Sequence, residues 1–255
     1  MRLRCFPPDG DLTLTLNSYY EIIHPIFPLL PDTKARSMSN WASLPTVLRD
    51  GLDSALQGAV HSFPSSTPAL SFPVKENSWI AKELWSAAPR EGSGSRSMAS
   101  NLAYMQILLL LAIEAGNRAP VAAKGQSASS QLFWLGNALT LAYELKLHQH
   151  KAQVTDDPDS DERLGRRLWF CLLVMDRWHA ASTSTPTLVS DTTVVMFPDD
   201  RSLLAESVYQ LTCECSYILL YTNLTFQVFL SSLVKLRPSL PQHQWILQVG
   251  PFPPP

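Results

Sequence analysis

The sequence predicts an all-α fold: an irregular multi-helix bundle with a Pro-rich N-terminal zone and a Pro-rich tail. Three observations predict it. Proline is partitioned, with ten of 20 before residue 98, four between 98 and 237, and six in the last 18 residues. Proline breaks helix interiors and sheet centres, so long regular elements fit the middle zone. That zone repeats apolar residues at spacings of three and four over stretches too long for strands. Only Leu12–Leu16 alternates as a half-buried strand would. The same punctuation divides the chain into an N-terminal part, 1–97, a helical core, 98–237, and a tail, 238–255.

Each element follows from its local pattern. Leu12–Leu16 alternates, but Tyr19, Ile22 and Ile23 continue it at helical spacing, and the segment is assigned to helix. Pro45–Val60 and Asn77–Ala88 read as short helices, the first with Pro45 at N1 and the second capped by Asn77. Pro64–Pro73 and Glu91–Ser97 are loops by composition. Met98–Glu114 is apolar nearly all round, through Leu102, Met105, Leu108, Leu109 and Ala112, with Gly116 as its stop. Gln126–Leu147 carries Leu132, Leu135, Ala138, Leu139, Ala142 and Leu145. Asp161–Ala181 has one face of Leu164, Leu168, Cys171, Leu172, Met175 and Trp178, and a second of Trp169, Phe170, Leu173 and Val174. A helix apolar on two sides needs neighbours on both, which places it at the centre of the bundle. Leu203–Leu236 reads as a further helix. The ending Gly250–Pro255 cannot continue one.

Composition bounds the function. Of 255 residues, 45% are hydrophobic and 16% charged, and the surface-scaling rule lets such a chain bury roughly 73% of its unfolded area. Twenty basic and 22 acidic residues leave a net charge of -2, which argues against a nucleic-acid surface built from these residues alone. Cys5, Cys171, Cys213 and Cys215 show neither a disulfide framework nor a zinc spacing, pointing to a reducing compartment. The N-terminus has no apolar signal-peptide core. Cys215–Val234 is uncharged for 20 residues, yet its Ser, Thr, Asn and Gln residues favour a buried helix over a membrane span.

The common catalytic and phosphate-binding motifs are absent. Two clusters remain. In Asp156–Glu162 a calcium loop fails, because Glu162 falls where glycine must turn and Leu168 where the bidentate glutamate belongs. Read as the magnesium motif of an all-α terpenoid synthase, the loop has Ser160 at the last aspartate position and a helix-breaking Pro158. The favoured reading is a solvated loop at the positive end of the next helix, with Asp159 or Ser160 as cap. His148-Gln149-His150 closes a helix, where histidine interacts favourably with the dipole and the free carbonyls.

The unusual feature is charge inside an apolar helix. Arg166, Arg167, Asp176 and Arg177 share their helix with Trp169 and Trp178. Arg166 and Arg177 lie within about 20° of each other, on the side of Phe170 and Leu173. A buried ion costs several kcal/mol unless paired, so Asp176 and Arg177 are expected to reach partners on neighbouring elements or on the following loop. The expected role of these groups is a structural clamp.

This helix and its flanks resemble the regulatory, middle homology domain of fungal Zn(2)Cys(6) binuclear-cluster transcription factors, named also after xylanolytic activators. The resemblance rests on pieces in order: Tyr20-Glu21-Ile22-Ile23-His24-Pro25-Ile26-Phe27-Pro28, Leu145–Gln149, Glu162–Phe170, Asp176-Arg177, Thr185-Pro186, Asp191 and Pro198. It covers residues 19–28 and about 100–200. Asp176–Thr193 looks closest to sugar-responsive regulators. Against the pattern, Lys146 replaces a glycine, Gln149 an arginine and Phe170 a tryptophan, and the glycine of a G-R-P-like turn before Pro186 is missing.

The resemblance implies an effector module rather than an enzyme, with Arg166, Arg167, Trp169, Asp176, Arg177, Trp178, Pro186 and Asp191 as its structural or regulatory motif. It implies nuclear action, protein partners in the transcription machinery, and room for a homodimer or a small-molecule effector. The C-x-x-C-x(6)-C zinc cluster is missing from these residues, so no cofactor and no specific DNA binding are expected of this chain, and the polar content of Cys215–Val234 leaves no membrane association expected either. It reads as a fragment, or as a paralogue without the DNA-reading head.

Overall fold

A computed structural model describes residues 10–63, 96–118, 131–149, 157, 160–190, 193–195 and 200. Among the described residues there are six helices and no strand. They are α1 (Gly10–Ile22), α2 (Lys34–Ser43), α3 (Thr46–His61), α4 (Met98–Arg118), α5 (Gln131–Glu144) and α6 (Asp161–Thr183). The expected helices at 77–88 and 203–236, the loop at 64–73, the loop at 91–97 except its last two residues, and the proline-rich tail lie outside the described residues.

α1 settles the ambiguity of Leu12–Leu16 as helix, with Leu16, Tyr19 and Ile23 buried on one side. α2 begins at Thr33, whose hydroxyl accepts from the Arg36 N–H at 3.2 Å. α3 starts one residue later than its pattern suggests. Pro45 is the N-cap rather than N1, with extended backbone and no side-chain cap.

α4 is the hub. Every side chain from Asn101 to Glu114 is buried, and the helix packs against α3, α5 and α6. By length and composition it could cross a membrane, but most of it is buried among the other helices. It also runs through its expected stop. Gly116 lies inside the helix, and a Cβ there would meet only the flexible end of the Gln131 side chain, with Nε2 at 2.8 Å.

The central place expected for α6 therefore belongs to α4, with α6 beside it and against α5. The reason lies in charge. Fifteen residues of α6 are buried, four of them ionic, and a neighbouring helix offers few backbone acceptors because its carbonyls are already bonded. Non-helical segments, with free carbonyls and N–H groups, cover those sides instead.

Two helix ends adopt the left-handed conformation without glycine. Lys146 has φ 57° and Ser184 φ 55°. After α5, the Leu147 N–H bonds to the Ala142 carbonyl and the Lys146 N–H to that of Tyr143, both at 3.0 Å, which is a Schellman closure. After α6, the N–H groups of Ser184 and Thr185 both turn back to the Ala180 carbonyl. These are the two positions at which the resembled pattern carries glycine.

Candidate functional site

The charged residues of α6 form the site, and the helix is fixed at its start by its own sequence. Ser160 caps it, accepting from the Arg163 N–H at 3.4 Å, and Asp161 and Glu162 occupy the first turn, where the helix dipole favours negative charge. Gly165 permits the close seat that follows. A Cβ there would stand 3.0 Å from a methyl of Leu147 and 3.4 Å from one of Leu102.

Arg166 is wholly buried and its guanidinium is satisfied on every side. Nε donates to Oδ1 of Asp200 at 2.9 Å and Nη2 to Oδ2 at 2.7 Å. Nη1 donates to the carbonyls of Leu147 at 3.3 Å and His148 at 3.2 Å, and Nη2 also to that of Val195. Its cationic carbon lies 4.6 Å from the centroid of the Phe170 ring. Arg167 points the other way, to the Asp32 carboxylate and, at 3.2 Å, to the Leu30 carbonyl.

Asp176 accepts from the backbone N–H groups of Leu188 at 2.9 Å and Val189 at 3.0 Å, which folds the loop after α6 back onto the helix. That is the following-loop partner the sequence expects. Arg177 is buried beside it, and its described hydrogen bond runs to the Leu173 carbonyl of its own helix at 3.4 Å. The expectation of a partner on the following loop is thus met for Asp176.

The aromatic members have distinct places. Trp169 is fully buried, 6.0 Å from the Tyr143 ring and 5.9 Å from that of His148. Trp178 is part-buried and meets Phe27 edge-on at 5.2 Å. Pro186 is exposed in the loop. Asp191 and Pro198 lie outside the described residues.

His148 departs from its expected role. Burial and the nearby Arg166 charge both lower its pKa, so the ring packs as a neutral aromatic group rather than serving as a cation on the α5 dipole. Burial also pushes the Cys171 thiol up to about 12. In the acidic loop, Asp157 pairs with Arg36 at 3.0 Å on the surface. Among the described residues, no three His, Cys, Asp or Glu side chains converge as a metal would require.

Three contributors escape sequence reading. Asp32 and Asp200 carry the counter-charges, and neither belongs to a periodic pattern. The third is Tyr19. Its hydroxyl donates to the Phe27 carbonyl at 3.0 Å and accepts from the N–H groups of Leu29 at 2.9 Å and Leu30 at 3.1 Å. Burial raises this phenol well above its ordinary range, which keeps it a donor. Tyr19 thereby shapes the 27–30 turn whose Leu30 carbonyl receives Arg167. A tyrosine just before a H-P-x-F-P segment was the available signal.

Comparison with known proteins follows the same lines. Residues 59–236 match the family described as the fungal specific transcription factor domain. Over 203 residues the chain is 32% identical to a transcriptional regulatory protein of Schizosaccharomyces pombe, itself described as uncharacterized. That alignment covers 77% of this chain and 22% of the relative, so the chain spans under a quarter of the relative's length. No solved structure matches.

Proposed function

The chain belongs to the fungal specific transcription factor domain family, and on that premise we propose that it is the regulatory part of a transcription factor. It controls RNA polymerase II transcription from the nucleus, through contacts with proteins of the transcription machinery and through a metabolite that biases its conformation. Genes of sugar or carbon metabolism are the field of control, following the likeness of Asp176–Thr193 to sugar-responsive regulators.

One observation supports the reading most. Pieces of the family-like pattern, and the loop that follows α6, converge on that helix. Phe27 meets Trp178, the Leu147 and His148 carbonyls meet Arg166, and the 188–189 backbone meets Asp176. Segments distant in sequence are thereby made to move as one unit with the helix. An effector shifts such a unit only by its differential affinity for two states.

The test is a fusion of this chain to an unrelated DNA-binding module, read by a reporter in a fungal host on glucose and on a non-sugar carbon source. The expected result is output several-fold different from that of the module alone, and dependent on carbon source. Unchanged output from an intact, nuclear fusion overturns the proposal.

A further inference from the structure

A cleft with a water-accessible volume of about 90 Å³ opens between α2, the first half of α4 and the first turn of α6. At roughly 15 Å³ of such space per water the cleft holds about six waters, on the order of a monosaccharide's bulk, and small-molecule sites combine an apolar lining with a few placed polar groups. This cleft has both. Leu30, Trp41, Leu102 and Leu164 make a buried apolar floor, and Arg36, Asn40, Gln106 and Asp161 stand around it. The clamp already described uses none of these four polar side chains.

Each polar group has capacity to spare. Gln106 commits its amide NH₂ to the Leu29 carbonyl at 2.8 Å, leaving the amide oxygen as the acceptor it offers. Arg36 is steadied by one bond to Asp157 at 3.0 Å and keeps further guanidinium donors. Asp161 is part-buried. Desolvation and then Glu162 raise its carboxyl pKa, against the pull of Arg36, which marks a carboxylate short of hydration. One guanidinium and one carboxylate leave the lining with no net charge.

We propose that this cleft binds a neutral, hydroxyl-rich small molecule, a polyol or monosaccharide, with its C–H surface on the apolar floor and its hydroxyls bridging Asp161, Asn40, Gln106 and Arg36. A hydroxyl is the group that fits such a rim. Ionised Asp161 only accepts, Arg36 only donates, and the Asn40 amide does both, so a ligand must donate and accept from neighbouring atoms. A simple anion would face Asp161 with Asp157 and Glu162 close by, and a simple cation would face Arg36. Because the walls come from α2, α4 and α6, the bound ligand favours the state in which these three are assembled. The site deepens the metabolite-sensing part of the proposed function and rests on that reading for its regulatory meaning.

The full chain is titrated separately with D-glucose, D-xylose and glycerol, with L-alanine and inorganic phosphate as comparators, following tryptophan fluorescence and thermal unfolding. Saturable binding of at least one polyol with a raised midpoint is expected. Asp161→Asn and Asn40→Ala each weaken it about tenfold, the loss of one good hydrogen bond. The second variant carries the test if the first alters the ligand-free melting curve. The proposal falls if no polyol saturates, if alanine or phosphate binds instead, or if both variants bind as the parent does. A chain that drives the reporter yet binds no polyol keeps the transcriptional role and loses this site. Binding without any reporter response does the reverse.

Discussion

Arg166 and Asp200, 34 residues apart in sequence, face each other as a fully buried bidentate pair, 0% and 1% exposed. With the three carbonyls that also receive Arg166, all five guanidinium donors have acceptors. That completeness is what makes an interior charge tolerable, since each unmet donor would add its own desolvation cost. The pair also ties the chain at residue 200 to the start of α6 and to the end of α5.

Asp176 closes the opposite end of the clamp. Asp176→Ala removes the acceptor for two backbone N–H groups and leaves the buried one at Val189 unmet, so unfolding by denaturant should show a loss of about 3 kcal/mol. Asp176→Asn, which keeps one acceptor oxygen, should lose less. A midpoint that barely moves in the alanine variant would contradict the clamp.

Lys146→Gly and Ser184→Gly should each raise stability by about 1 kcal/mol, because a left-handed residue with a Cβ carries a strain that glycine does not. Thermal unfolding checks this. Alanine at the same positions relieves no strain and should not stabilise.

These two positions show how far the sequence could be read. The departures from the resembled pattern were visible as letters, Lys146 and Ser184 standing where glycine is expected. Only backbone angles reveal that the chain keeps the left-handed turn and tolerates the strain. The helical nature of 10–22, the core helices and the Ser160 cap were legible because periodicity and capping are local. The counter-ions were not. Asp32 reaches Arg167 across 135 residues, and no repeat or spacing links the two. The end of α4 was misread as well. Glycine is a stop only where the backbone turns left-handed, and at Gly116 the helix continues to Arg118.

Stability should fall as the solution is acidified through the histidine range. Burial and Arg166 hold His148 below its ordinary pKa, and burial does the same to His179 against the pull of Asp176. Between the native and unfolded values the unfolded chain binds more protons, so stability rises with pH there. The contribution is complete above about pH 6.5 and is lost as pH falls toward the native value. Asp50 and Asp161, raised mainly by burial, act in the opposite sense from about pH 4 upward. Denaturant midpoints across this range check the slope, and His148→Phe should flatten it.

The most direct test of the buried clamp is a double-mutant cycle on Arg166 and Asp200, read as unfolding free energy. Asp200→Ala strands a buried guanidinium and should cost about 3–5 kcal/mol, as should Arg166→Met by stranding the carboxylate. The double variant should cost clearly less than the sum, with a coupling of at least about 2 kcal/mol. Additive costs, or single variants that unfold like the parent, would show that these two charges do not hold α6 in place.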